Sequence, residues 1–106
     1  MSKMILAIDD DKFIHRLVEE TLKYFCRVIH ASNGEEGLRS AVKNNPDIIL
    51  LDAEMLGMNG YEVCELLKKD SSTADIPVMF LSGKGALTER VLGYNSGGND
   101  YIVKPF

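Results

Sequence analysis

The sequence predicts an α/β domain: a parallel sheet with helices on both faces. Three observations carry that expectation. Strand-like and helix-like segments alternate along the whole chain, which is the pattern of βα units. Ile48–Leu51 is a run of four consecutive apolar residues, as expected of a central strand buried on both sides. Four apolar runs also end in a polar residue suited to one shared site. Met4–Ile8 stops at Asp9-Asp10-Asp11, Ile48–Leu51 at Asp52, Val78–Leu81 at Ser82 and Tyr101–Val103 at Lys104. If these runs are parallel, their carboxyl ends share one edge, where open α/β sheets bind ligands.

The elements follow in order. Met4–Ile8 is strand 1. Asp11 to Tyr24 carries Phe13, Leu17, Thr21 and Leu22, with Phe25 just beyond, at a spacing of about 3.6 residues that predicts a helix. Cys26–Ala31 is strand 2, with Val28 and Ile29 favouring extended backbone. Ser32-Asn33-Gly34 reads as a turn or helix cap. Glu35 to Asn44 is a helix buried through Leu38, Ala41 and Val42, and Pro46 ends it. Asp47–Leu51 is strand 3, and Ala53 to Asn59 a loop. A helix runs from Gly60 or Tyr61 to Lys69 with Val63, Cys64, Leu66 and Leu67 inward. Val78–Leu81 is strand 4, Gly83-Lys84-Gly85 a loop, Leu87 to Asn95 a fourth helix, and Asp100–Val103 strand 5.

The 106 residues suffice for one domain, 1–106, and 45% of them are hydrophobic, enough for a single core. The formal net charge of −4 disfavours a nucleic-acid surface, which needs a basic stripe. No apolar stretch approaches the roughly 20 residues that span a bilayer. The N-terminus has no signal-peptide layout, so a cytoplasmic location is expected. Cys26 and Cys64 form no C-x-x-C pattern and read as two small buried side chains. His15 reads as a surface histidine near the mouth of the site. His30, on an edge strand, has no second ligand at metal spacing.

Acids gathered at a strand end repel one another by about 4 kcal/mol per close pair at an effective dielectric of about 20. A cation removes that repulsion, and magnesium favours oxygen ligands. Asp10 and Asp52 are the expected direct ligands. Asp9 acts mainly through a bound water, and the main-chain carbonyl of Glu54 is a further ligand. Asp11 fits a helix N-cap. A carboxylate beside a metal is also a possible nucleophile toward phosphorus, which makes Asp52 a candidate acceptor. Ser82 and Lys104 would then meet the phosphoryl oxygens.

The stretches ILAIDDD, DIILLDAEMLGMNG, VMFLSG and GGNDYIVKPF, in that order, resemble the receiver domains of two-component response regulators of the chemotaxis-regulator kind, over essentially the whole chain. The resemblance implies a flavodoxin-like, doubly wound five-stranded parallel sheet of order 2-1-3-4-5. It implies that Asp52 accepts a phosphoryl group from a phosphohistidine on a sensor histidine kinase or phosphotransfer protein. Asp9 and Asp10 hold Mg2+, Ser82 is the switch hydroxyl, Lys104 contacts the phosphoryl group and Tyr101 is the aromatic switch partner. The implied protein is a phosphorylation-controlled switch with weak self-phosphatase chemistry, not a turnover enzyme.

Leu56 stands where the family most often has proline, so the loop after Asp52 leans on Gly57 and Gly60. Glu54 and Lys84 flank the phosphoryl position, and a pairing between them would limit the hydrolytic water. The fifth helix of the family pattern is absent after Phe106. Truncation is the expected reason, with self-association to a homodimer as the alternative. Either way, strands 1, 3, 4 and 5 should present apolar surface of roughly several hundred Å2. Three other readings stay open: a small aspartyl-phosphate phosphatase with Glu54 as its acid/base, a flavodoxin-like cofactor binder, and a receiver kept only for docking.

Overall fold

The computed structural model describes residues 3–82 and 100–103, with side chains over residues 3–81. Five parallel strands form one sheet in the order β2-β1-β3-β4-β5: β1 Met4–Ile8, β2 Arg27–Ala31, β3 Ile48–Asp52, β4 Val78–Ser82 and β5 Asp100–Val103. Among the described residues three helices connect β1 to β4 in turn: α1 Lys12–Leu22, α2 Gly34–Asn44 and α3 Gly60–Lys69. The expected order is the observed one. The expected fourth helix, over Leu87–Asn95, lies outside the described residues.

Alternation along each central strand divides the core in two. Leu6, Ile8, Ile49, Leu51, Val78 and Phe80 point to one face, where they meet Ala41 of α2 and Val63, Cys64 and Leu67 of α3. Ala7, Leu50 and Leu81 point to the other, against Ile14 and Val18 of α1. There Ile5, Val18, Thr21, Leu22, Ile48, Leu50, Met79 and Leu81 line an apolar groove of about 290 Å3. Leu50 and Leu81 are themselves buried, so the described parts of strands 1, 3 and 4 border a groove and do not present the several hundred Å2 of apolar surface expected of them. The β5 side chains lie outside the described residues.

Each described helix starts on a side chain that satisfies its free N–H groups. Asp11 accepts from Phe13 N at 2.8 Å, Asn33 from Glu36 N at 2.8 Å, and Asn59 from Glu62 N at 3.0 Å. Asn59 and Glu62 close a reciprocal capping box. Asn45, at φ 46°, turns the chain out of α2, so the left-handed cap stops that helix before Pro46 does.

Several sequence expectations had the right element and the wrong phase or end. In α1 the buried residues are Ile14 and Val18, while Phe13 is 63% exposed and Phe25 is 79% exposed. The helix stops at Leu22, short of Tyr24, so an aromatic stripe running past it has no helix to sit on. Val42 and Leu66 also face outward, whereas Ala41, Val63, Cys64 and Leu67 are buried as expected. Cys26 precedes β2 and is only half-buried, its Sγ toward the Leu22 carbonyl at 3.6 Å.

Candidate functional site

Asp9 follows β1 and Asp52 ends β3. Because the two strands are parallel neighbours, both acids reach the same edge of the sheet. Asp9 is fully buried and Asp52 is 3% exposed, while Asp10 faces solvent. One carboxylate oxygen from each of Asp9, Asp10 and Asp52 falls within 4.8 Å of the other two. The sequence-level grouping of these three residues is what the fold brings together.

Main-chain amides hold each carboxylate in place. Asp9 accepts from Asp11 N at 2.9 Å, and its own N–H donates to Ala31 O on β2 at 3.1 Å. Asp52 accepts from Glu54 N at 3.2 Å, so the loop folds back and lays the Glu54 main chain against the acceptor carboxylate. The Glu54 side chain is exposed. Asp10 accepts from Leu56 N at 3.3 Å, across 46 residues of sequence, which ties the β1 end to the loop after β3. Such bonds fix the orientation of each carboxylate.

Two glycines shape that loop as expected. Gly57 has φ 78°, a backbone state that a side chain disfavours. At Gly60, an added Cβ would run into the Asp52 carbonyl and sit 2.8 Å from Ala53 Cα. The start of α3 is thus pressed directly onto the chain at the acceptor, and Gly60 N donates to Ala53 O at 3.2 Å. Leu56 is 90% exposed at the lip of the site.

The donor set is all oxygen, clustered and mostly buried. It fits a hard divalent cation such as Mg2+ and not a soft, sulfur-seeking one. Across the sheet, Asp52 is in register with Leu81, so Ser82 is the next residue along β4 at the same edge, paired with Val103. Tyr101 is in register with Phe80. The roles expected of the Ser82 and Tyr101 side chains, and of Lys84 and Lys104, fall on groups outside the description.

The sequence reading missed one feature. His15 is not an isolated surface side chain. Its Nε2 bonds to the Asp9 carbonyl at 2.7 Å and its Nδ1 lies 2.7 Å from Nδ1 of His30. His30 has a neighbour that its sequence context does not show: the His15 ring reaches it through space, from α1 to β2. No sequence interval signals it.

Comparison with known proteins gives a consistent answer. The family model for the response regulator receiver domain matches residues 5–106. The chain is 41% identical over 103 residues to the DNA-binding dual master transcriptional regulator RpaA of Synechocystis, covering 96% of this chain and 43% of that protein. It is 43% identical over 107 residues to the transcriptional regulatory protein SrrA of Staphylococcus aureus, covering 100% of this chain and 43% of that one. The chain therefore spans less than half the length of these relatives. Among solved structures, the chemotaxis protein CheY4 of Vibrio cholerae superposes with a TM-score of 0.95 at 29% identity, covering 100% of this chain and 89% of that one. The N-terminal domain of a response regulator receiver protein from Methanoculleus marisnigri gives 0.88 at 39% identity, covering 96% and 84%.

Proposed function

The chain belongs to the response regulator receiver domain family, and on that footing we propose that it is a Mg2+-dependent phosphoacceptor switch with Asp52 as the acceptor. The observation that carries the reading is the convergence of Asp9, Asp10 and Asp52 at the carboxyl edge of the sheet. The donor is a phosphohistidine on a sensor histidine kinase or phosphotransfer protein. A carboxylate oxygen of Asp52 bonds to phosphorus as the phosphorus–nitrogen bond to the donor imidazole breaks, and the nitrogen keeps the electron pair. Mg2+, when bound by Asp9, Asp10, Asp52 and the Glu54 carbonyl, supplies positive charge against the phosphoryl oxygens.

The chain's own residues do the rest. Glu54 N, through its bond to Asp52 Oδ1, orients the acceptor carboxylate. Asp10, tied to Leu56 N, keeps the loop beside it. Ser82 and Lys104 donate to the phosphoryl oxygens, and Tyr101 follows Ser82 inward to shift a pre-existing equilibrium between two conformers. Glu54 and Lys84 restrain the hydrolytic water, so loss of the phosphoryl group is slow. The domain is a switch with weak self-phosphatase activity that controls an output domain or a separate partner. It acts in the cytoplasm, and no described helix is long and apolar enough to cross a membrane.

Intact-mass measurement after incubation with acetyl phosphate and Mg2+ tests this. The expected result is a gain of about 80 Da, one phosphoryl group, which disappears with a chelator and in Asp52→Asn. An equal gain in Asp52→Asn would overturn the assignment. Steady phosphate release from many monoesters would favour a phosphatase instead.

A further inference from the structure

Asp9, fully buried in the acidic cluster, is held through its N–H, its carboxylate and its carbonyl. The N–H donates to Ala31 O on β2 at 3.1 Å, and the carboxylate accepts from Asp11 N at 2.9 Å. The carbonyl oxygen lies 2.7 Å from His15 Nε2. A carbonyl only accepts, so Nε2 carries the hydrogen and donates it. The first amides of α1 do not compete, because Ile14 N and His15 N bond to Asp11 O instead. Helix side chains lean toward the N-terminus, so a histidine on the first turn reaches back to the strand end.

That carbonyl belongs to the planar peptide that joins Asp9 to Asp10. Turning this plane changes ψ at Asp9 and φ at Asp10 together, which swings the two carboxylates relative to each other. One oxygen from each, and one from Asp52, lie within 4.8 Å of one another. The His15 ring is in turn held on its second nitrogen. Its Nδ1 shares a hydrogen bond with His30 Nδ1 at 2.7 Å, and His30 Nε2 meets Glu19 Oε1 at 2.9 Å. The two rings cross at 79°. His15 and Glu19 are both on α1 and His30 is on β2, so helix and edge strand close a loop of bonds around the ring. A histidine ring bound on one nitrogen swings within a broad χ2 well, and one bound on both does not.

We propose that His15 is a positioning residue of the acidic site. By donating to Asp9 O it sets the plane of the Asp9–Asp10 peptide, and with it the angle at which both carboxylates meet one Mg2+ alongside Asp52. His30 and Glu19 act behind it by fixing the ring. The proposal rests on the reading of the aspartates as a Mg2+ site and adds to that site three residues that need touch no ligand themselves. Outer partners of this kind change metal affinity by about 10-fold or more. The influence passes through the main chain, so it requires a donor at the Nε2 position and not an imidazole.

Titration of the isotope-labelled chain with Mg2+ alone, followed by amide chemical shifts, provides the test. His15→Leu removes the donor and keeps the bulk. Its Mg2+ dissociation constant should rise about 10-fold. In His15→Gln the amide nitrogen lies as many bonds from Cβ as Nε2 does, so donation to Asp9 O is retained. That variant should stay within about 2-fold of wild type. A purely structural role would lower the melting temperature of both and leave the Mg2+ affinity of the folded chain unchanged. Affinity unchanged in His15→Leu, or lowered equally in His15→Gln, overturns the proposal. Should His15→Leu fail to fold, His30→Leu decides. A rise of about 3-fold is expected from the loosened ring, and wild-type affinity overturns the proposal. If wild type itself shows no saturable Mg2+ shifts, the parent reading falls and this proposal with it. Saturable shifts in wild type with an unaffected His15→Leu sink the proposal alone.

Discussion

The two faces of the sheet are built from the same strands and finished differently. On the α2/α3 side, Leu6, Ile8, Ile49, Leu51, Val78 and Phe80 are all 0% exposed, and the Phe80 ring lies 5.0 Å from that of Tyr61. On the α1 side, the alternate residues of those strands border an apolar groove of about 290 Å3 among the described residues. The packed face is also the one that braces the acceptor. There α3 abuts the main chain at Asp52 through Gly60, and Gly37 of α2 sits so close to Ile8 that a Cβ would lie 2.5 Å from Cδ1. The difference between faces places the closest packing beside the acids.

The largest expected effect comes from two adjacent leucines of β3. Leu51 is fully buried on the packed face, and Leu50, 8% exposed, lines the groove. Leu51→Ala should cost about 3–4 kcal/mol, because its cavity is closed on every side. Leu50→Ala should cost only about 1–2 kcal/mol if its truncation enlarges the groove without closing off a new cavity. Urea unfolding of both variants checks this. Equal losses would mean that the groove is as well packed in solution as the opposite face.

The contrast between faces was only partly legible in the sequence. Period-2 alternation was masked, since strands apolar on both sides read as continuous runs, and Ile48–Leu51 gives no hint of which residue meets which layer. The shared edge was legible because the strand ends carry chemistry: Asp9, Asp10 and Asp52 have a reason to meet if their strands are parallel, whereas the strand order came only with the resemblance to receiver domains. Helix phase was less so. Phe13 in α1 and Phe25 beyond it outweigh Ile14 by size, yet the helix that starts at the Asp11 cap puts Ile14 and Val18 on the sheet. The His15–His30 contact was illegible, because it depends on the tertiary distance between a helix and an edge strand.

A smaller effect should mark the packed face through pH. Burial raises the Cys64 thiol from its ordinary 9.0 to about 11, with Lys68 opposing and Glu65 adding slightly. The folded chain therefore holds this proton more tightly than the unfolded one. Its contribution to stability is complete below about pH 9 and is lost as pH rises toward 11, by up to about 2–3 kcal/mol. Comparing wild type with Cys64→Ala at pH 8 and pH 10.5 isolates it from the titration of lysines and tyrosines. The gap between the two proteins should shift in favour of the variant at the higher pH. At pH 8 a thiol reagent should modify the half-buried Cys26 first and Cys64 only on unfolding. Prompt modification of Cys64 would mean that the packed face opens locally.

The smallest expected effect tests the groove itself. Met79→Thr places a β-branched, partly polar side chain where Met79 is half-buried at the groove wall. If water already reaches that wall, the change should cost less than about 1 kcal/mol, because strand propensity offsets part of the lost apolar area. It should also reduce the fluorescence of a hydrophobic dye bound to the groove. A loss as large as that of Leu51→Ala would instead show the wall covered in solution. Concentration then distinguishes the source. A melting temperature that rises with protein concentration points to a second copy of the chain, since only binding to the folded state couples stability to concentration. A concentration-independent melting temperature assigns the cover to the chain itself.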